Sequence, residues 1–221
     1  MHRRRRTALS VSAALLVAAP FLAACGNEAH PGAAAVVGGD RIDVSALQSQ
    51  VKDVRKAQQT SPQSAQLIGT TGQLGRAKLY DLIVDQIVQR AADDAGTGVT
   101  RKEIQAARAS AAQQSGGAEQ LAATYLQQRG IAPDQIDDAI RRDVLVGKLA
   151  AAIGAGNTPE GQQKVNAAFV AASKALNIDV NPRYGTWDDK KMQLGDYKAP
   201  WITQVTKEKA AAPPEGQQPG A

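Results

Sequence analysis

Residues 76–95, with the sequence RAKLYDLIVDQIVQRAADDA, decide the fold. Large apolar residues recur there at intervals of three and four positions, which predicts an α-helix. The apolar face is wide, and a helix with such a face lies in a hydrophobic core. Its members are Leu79, Leu82, Ile83, Val84, Ile87, Val88 and Ala91.

Helical patterns continue on both sides of this core helix. Upstream, residues 46–59 follow Asp43 and Ser45, either of which can cap a helix, and Gln48 can complete a capping box with Ser45. Downstream, Thr100 and Glu103 have the spacing of a second capping box. Further helices are predicted from Thr100 to a stop at residues 115–117, over 118–128 with Gly130 as its left-handed end, from Pro133 to Gly154, and from Pro159 to Leu176.

Short β segments flank the helices. Residues 35–37 and 41–42 are separated by Gly38, Gly39 and Asp40, which is typical of a small hairpin whose glycines supply positive φ. Residues 178–184 are short and β-like, and a loop is expected after them. The predicted fold class is therefore mainly α, with a small N-terminal β-hairpin and a short C-terminal strand.

The N-terminus has the pattern of an export signal. Four arginines at residues 3–6 precede an uncharged stretch, residues 7–24, that is too short and too rich in alanine to make a stable membrane span. The stretch ends in Leu22, Ala23, Ala24 and Cys25, which resembles the bacterial lipobox, where the cysteine thiol receives a diacylglycerol before cleavage. An ordinary export signal that happens to end near a cysteine is the alternative. We expect a lipoprotein anchored through Cys25 to the extracytoplasmic face of the cell membrane.

Removal of residues 1–24 changes the charge balance. Lys plus Arg falls from 26 to 22 against 21 acidic residues, so the net charge falls from +5 to +1. Nothing in the remainder concentrates Lys and Arg on one face, which argues against nucleic-acid binding. The expected organisation is a signal peptide at 1–24, a lipidated tether at 25–33, a helical domain at 34–205 and a disordered tail at 206–221.

Seven segments along the chain form a pattern in their order and spacing: AVVGGDRI at 35–42, LIVDQ at 82–86, AADDAG at 91–96, VTRKEI at 99–104, GIAP at 130–133, IRRD at 140–143 and VNPRYG at 180–185. Together they resemble the helical chaperone domain of SurA and of the PrsA-like extracytoplasmic foldases. Members of this family with isomerase activity carry a parvulin-like domain between the last two helical parts. Here only residues 154–157 lie at that place, so the resemblance implies the chaperone module without the isomerase.

The residues themselves also argue against catalysis. Both histidines, His2 and His30, precede the predicted domain, so no histidine is present there as a general base or a metal ligand. The paired carboxylates at 93–94, 137–138 and 188–189 are adjacent in sequence, and adjacent side chains on a helix diverge by about 100°. We therefore predict no catalytic residue, no metal site, and no cofactor other than the lipid on Cys25.

Aromatic residues are concentrated near the C-terminus. Tyr184, Trp187, Tyr197 and Trp201 are candidates for contact with extended client segments, because Tyr and Trp supply interface energy without full burial. The alternative for Tyr184 and Trp187 is that they close the core.

The resemblance leaves two functions open for this chain. The first is an ATP-independent holdase whose partners are unfolded or extended secreted polypeptides, and the second is an envelope adaptor that uses the same fold to bind one partner. A foldase with isomerase activity is disfavoured because the parvulin domain is missing.

Overall fold

The computed structural model describes residues 31–197. Within this range the chain forms seven α-helices, one 3-10 turn and five short strands. The elements are β1 (Ala33–Val37), β2 (Asp40–Asp43), α1 (Val44–Thr60), α2 (Ser64–Thr70), α3 (Leu74–Asp94), α4 (Arg101–Ser115), α5 (Ala118–Arg129), the 3-10 turn (Pro133–Gln135), α6 (Ile136–Ala152), α7 (Pro159–Ala175), β3 (Asp179–Val180), β4 (Thr186–Asp188) and β5 (Gln193–Gly195). The predicted mainly helical fold is confirmed.

Helix α3 is the centre of the fold. Leu79, Ile83 and Ile87 on its apolar face are fully buried. They share the largest hydrophobic cluster with residues from both ends of the described chain, including Val37 of β1 and Val180 of β3. α6 and α7 pack against α3, so the wide apolar face predicted for this helix is covered from several sides.

A three-stranded sheet joins the two ends of the domain. β1 pairs antiparallel with β2 through a turn at Gly38 and Gly39, whose φ values are +62° and +90°. β3 pairs with the other edge of β1, which gives the strand order β2-β1-β3. The backbone N–H of Gly38 donates to the carbonyl of Leu176 at 2.6 Å, and this bond ties the turn to the end of α7.

The helical hairpin α4–α5 packs on α6 beside this centre. The hydroxyl of Thr100 accepts from the backbone N–H of Glu103, and the Glu103 carboxylate accepts from the backbone N–H of Thr100 at 2.7 Å. This is the capping box that the sequence predicted. Gly130 ends α5 with φ of +59°, the left-handed conformation expected of it.

Three local predictions were wrong or incomplete. The segment after Tyr184 is not a loop throughout, because β4 and β5 form an antiparallel hairpin there. Helix α2 was not predicted at all. Helix α1 begins at Val44 and makes no capping box at Ser45, and Asp43 at its N-cap makes no side-chain cap bond because its carboxylate instead pairs with Arg41 at 2.5 Å.

Some predictions fall outside the described residues. The signal peptide, the lipobox with Cys25, Trp201 and the tail at 206–221 all do so. β1 already begins at Ala33, the residue at which the tether was expected to end. Between residues 31 and 197, no helix has the length and the apolar character needed to cross a bilayer.

Candidate functional site

An open groove lies between the first half of α3 and the C-terminal hairpin. Its volume is about 490 Å³. One wall comes from the start of α3, and the other comes from the turn before β5 and from β5 itself. We call this space the hairpin groove. Its lining residues are Gln73, Arg76, Ala77, Tyr80, Lys191, Met192, Gln193 and Leu194.

Local chain geometry builds the hairpin wall. The carboxylate of Asp188 accepts backbone N–H bonds from Lys190 at 2.9 Å and Lys191 at 3.1 Å, which turns the chain back after β4. Met192 then takes a left-handed conformation with φ of +53°, which is uncommon for a residue with a long side chain. This strained residue lies on the groove, and such strain is concentrated at functional sites.

Arg76 fastens the hairpin to α3. Its Nη1 donates to the Asp196 carboxylate at 2.7 Å, and its Nη2 donates to the carbonyls of Leu194 and Gly195, both at 3.1 Å. The close approach of Gly185 to the same strand leaves no room for a side chain, since a Cβ there would lie 2.1 Å from the Gly195 carbonyl oxygen. The two walls of the groove are therefore held at a fixed separation.

Two aromatic rings meet beside the groove. The centroids of Tyr80 and Trp187 lie 6.0 Å apart at an interplanar angle of 36°. The Trp187 indole N–H donates to the hydroxyl of buried Ser173 at 2.8 Å, and that hydroxyl donates to Asp189 at 2.5 Å. Trp187 is thus fixed and half-buried, whereas Tyr80 is 37% exposed. The indole N–H of Trp187 already has a hydrogen-bond acceptor, so the pair presents an aromatic surface to a partner.

The structure separates the predicted aromatic candidates. Tyr184 is buried in the largest hydrophobic cluster. Trp187 packs against that cluster from outside and reaches Tyr80. Tyr197 is 38% exposed and follows Asp196, the partner of Arg76, and Trp201 lies outside the described residues.

Sequence reasoning missed the groove residues contributed by α3. Tyr80 and Arg76 stand in the helix that the sequence marks as core, and neither was singled out. An aromatic residue at the border of the wide apolar face was the available signal for Tyr80. Nothing in the local sequence indicates that Arg76 binds carbonyls more than a hundred positions away.

A cluster of charged side chains lies between α3 and α6, apart from the hairpin groove. Lys78 is almost fully buried and pairs with Asp81 at 3.0 Å, while Arg142 pairs with Asp85 at 2.9 Å. Burial raises the pKa of Asp85, and the neighbouring Arg142 guanidinium opposes that rise. Of these pairs, the ones made by Arg142 join α6 to α3, whereas Lys78 and Asp81 both belong to α3. The space beside them measures only about 40 Å³ and leaves no room for a substrate. Among residues 31–197, no three or more His, Cys, Asp or Glu side chains cluster as metal ligands.

The fold is a mainly helical domain with a small N-terminal sheet and a C-terminal β-hairpin. A family model, the SurA-like N-terminal domain, matches residues 1–150, which is more than half of the chain. The chain belongs to the SurA-like N-terminal domain family, as the resemblance in its sequence indicated. No curated protein and no solved structure matches it.

The connection between α6 and α7 bears on the rest of the resemblance. Residues 153–158 alone link the two helices, and Thr158 caps α7 by accepting from the backbone N–H of Gly161 at 3.1 Å. The place at which isomerase-bearing members carry a parvulin domain therefore holds a short connection here.

Proposed function

We propose that the mature chain is an ATP-independent chaperone that holds extended segments of unfolded secreted or envelope proteins. The observation that carries this proposal is the family match over residues 1–150, because the family is chaperone-like. The hairpin groove supports the proposal as the surface at which such segments bind.

The groove has the chemistry that extended apolar segments require. Tyr80 supplies an exposed ring, and Met192 and Leu194 supply apolar contacts at half-buried positions. Methionine is unbranched and polarisable, so it adapts to side chains of different shape, which suits a binder of many sequences. Arg76 is already paired with Asp196 and does not impose an anionic partner.

We further propose that binding involves no chemistry. The two histidines of the chain are His2 and His30, so a histidine base would have to come from outside the described domain. Gly38 and Gly39 form the turn of a β-hairpin and do not open a helix that could bind nucleotide phosphates. The free energy of holding clients would come from burial of apolar surface alone.

Lipidation of Cys25 would place this domain at the membrane. The chain between Cys25 and β1 is short, so the domain would stay close to the extracytoplasmic face of the bilayer, where exported clients emerge. We expect the full chain to partition with membranes after expression in a bacterial host, and Cys25→Ala to lose the lipid. Mass spectrometry of the mature N-terminus checks this, and an unmodified wild-type cysteine would contradict the anchor.

Aggregation of an unrelated unfolded protein tests the chaperone proposal. The chain from residue 25 onward, with Cys25→Ser, is expected to suppress aggregation at near-stoichiometric amounts. Tyr80→Ala should weaken client binding at least about fivefold, because truncation of a central aromatic contact costs more than about 1 kcal/mol. Ile68→Ala is the matched control, since Ile68 on α2 is 38% exposed but does not line the groove.

The outcomes separate the two functions that the sequence left open. A folded chain that fails to suppress aggregation would contradict the holdase and favour an adaptor with one dedicated partner. Equal losses in Tyr80→Ala and Ile68→Ala would place client binding elsewhere than the groove. Circular dichroism of each variant establishes that the comparison is made between folded proteins.

A further inference from the structure

The chain leaves the described domain at the rim of the hairpin groove. Arg76 lines the groove and binds the carboxylate of Asp196, and Leu194, two residues earlier, lines it as well. Residue 196 is therefore fixed beside the groove, and the 24 residues from 198 to 221 continue from this point.

The segment that follows carries the large apolar residues of the remaining chain. Residues 198–205 read KAPWITQV, and Trp201, Ile202 and Val205 are the only large apolar side chains after residue 197. Residues 199–206 carry no charge, so Lys191 on the groove neither attracts nor repels them strongly. An uncharged segment with one tryptophan matches a groove lined by Tyr80, Met192 and Leu194.

The distance permits a contact within one chain. Trp201 stands five residues after Asp196, and five residues of extended chain reach at most about 18 Å. A groove of about 490 Å³ falls in the range of about 300–1,000 Å³ in which single small ligands are bound, so it can admit an indole ring.

Two further effects favour occupancy by this segment. The segment contains Pro200, and a proline limits the conformations open to a free chain, which lowers the entropy lost when such a segment docks. A short tether also gives an effective concentration in the millimolar range, so even a weak contact is well populated.

We propose that residues 199–205 dock in the hairpin groove of the same chain, with Trp201 as the anchoring side chain. This inference does not depend on the proposed chaperone activity, because the docked segment can be detected with no client present.

Methionine provides a direct probe of the contact. Once residues 1–24 are removed, Met192 is the only methionine of the chain, and it lines the groove. The experiment uses residues 25–221 with Cys25→Ser, released from a tag without an added methionine and labelled with ¹³C at the methionine methyl group. An indole ring docked against Met192 shifts its single methyl resonance through the ring current.

Trp201→Leu is expected to move the Met192 resonance, since leucine has no ring current. The control is Gln217→Leu, which places the same residue in the distal tail and should leave the resonance in position. A Met192 resonance unchanged by Trp201→Leu would overturn the proposal.

A mixing experiment excludes a second copy as the occupant. Unlabelled wild-type chain is added to the labelled Trp201→Leu protein, and no return to the wild-type position is expected. Return of the resonance would show that the segment docks between molecules, which contradicts docking within one chain.

Discussion

Tyr184 has a buried hydroxyl that makes no hydrogen bond to any residue in the range 31–197. Its ring belongs to the main hydrophobic cluster. A buried polar group without a partner lowers stability by about 1–3 kcal/mol. We expect Tyr184→Phe to raise the free energy of unfolding by about 1 kcal/mol, measured by urea denaturation.

Tyr184→Leu is the control for Tyr184→Phe. It removes the ring as well as the hydroxyl and should lower the free energy of unfolding through a cavity. A loss of stability in Tyr184→Phe comparable to that in Tyr184→Leu would show that the hydroxyl contributes a favourable interaction.

Glu103 makes stability depend on pH. The Lys148 ammonium donates to its carboxylate at 2.7 Å, and with the backbone N–H and hydroxyl of Thr100 it lowers the pKa of Glu103 from 4.5 to about 2. The unfolded chain then takes up a proton at higher pH than the folded chain, so this contribution is complete above about pH 4.5 and is lost as the pH falls towards about 2.

Glu103→Gln isolates the charge of this group, because glutamine can also complete a capping box. The variant should be less stable than wild type near pH 7, and the difference should shrink as the pH falls from 4.5 towards about 2. Denaturant unfolding at several pH values measures it. Lys148→Gln should remove part of the same pH dependence, and a difference that stays constant down to about pH 2 would contradict the assignment.

Helix α4 is held more weakly than the other long helices. None of its residues is buried within the described part of the chain. It rests on half-buried contacts such as Ile104 and Ala107, on the Thr100 capping box and on exposed ion pairs, including Arg108 with Asp137 at 2.6 Å. Exposed ion pairs contribute at most about 1 kcal/mol each.

We expect amide protons of α4 to exchange faster than those of α3, because local opening of α4 exposes little apolar surface. Thr100→Ala should lower the stability of α4 by about 1 kcal/mol, which is the usual effect of losing an N-cap side chain. Hydrogen exchange measured by mass spectrometry should then show faster exchange confined to peptides from α4 and α5. Equal acceleration in α3 would mean that α4 opens only when the whole domain unfolds.

The elements differ in how well the sequence predicts them. α3 was predicted because seven apolar residues repeat at helical spacing, and α4 because Thr100 and Glu103 form a local motif. α2 has only Leu67 buried and no repeating pattern, and Arg55 of α1 holds it through bonds to the hydroxyl and carbonyl of Thr71. The β4–β5 hairpin turns through Met192 at positive φ, a conformation that sequence patterns assign to glycine.

The candidate site shows the same limit. Trp187 was identified as an aromatic of interest, but its contact with Tyr80 joins residues more than a hundred positions apart. Arg76 helps to form the groove by binding the hairpin to α3. Long-range contacts of this kind leave no periodic pattern in the sequence, and only the assembled fold reveals them.

At the scale of the whole molecule, the ends of the domain depend on each other. The side-chain amide of Asn181 donates to the carbonyl of Ala33 at 3.0 Å, and its backbone N–H donates to the carbonyl of Ala34 at 3.0 Å. β3 is also the strand that covers one edge of β1. The first two strands and β3, which follows the last helix, therefore form one sheet.

The family match ends at residue 150, inside α6, but the hydrophobic core does not end there. Ala172, Leu176, Val180 and Tyr184 belong to the same cluster as Leu79 of α3. Loss of one large core side chain costs about 2–5 kcal/mol, and a whole domain is stable by only about 5–15 kcal/mol.

We therefore expect a chain of residues 25–150, with Cys25→Ser, to lack cooperative thermal unfolding by circular dichroism. A chain of residues 25–197 should unfold cooperatively at nearly the temperature of the chain of residues 25–221. Cooperative unfolding of residues 25–150 at that same temperature would show that α7, β3 and the hairpin are an appendage, and the hairpin groove would then lack a rigid wall.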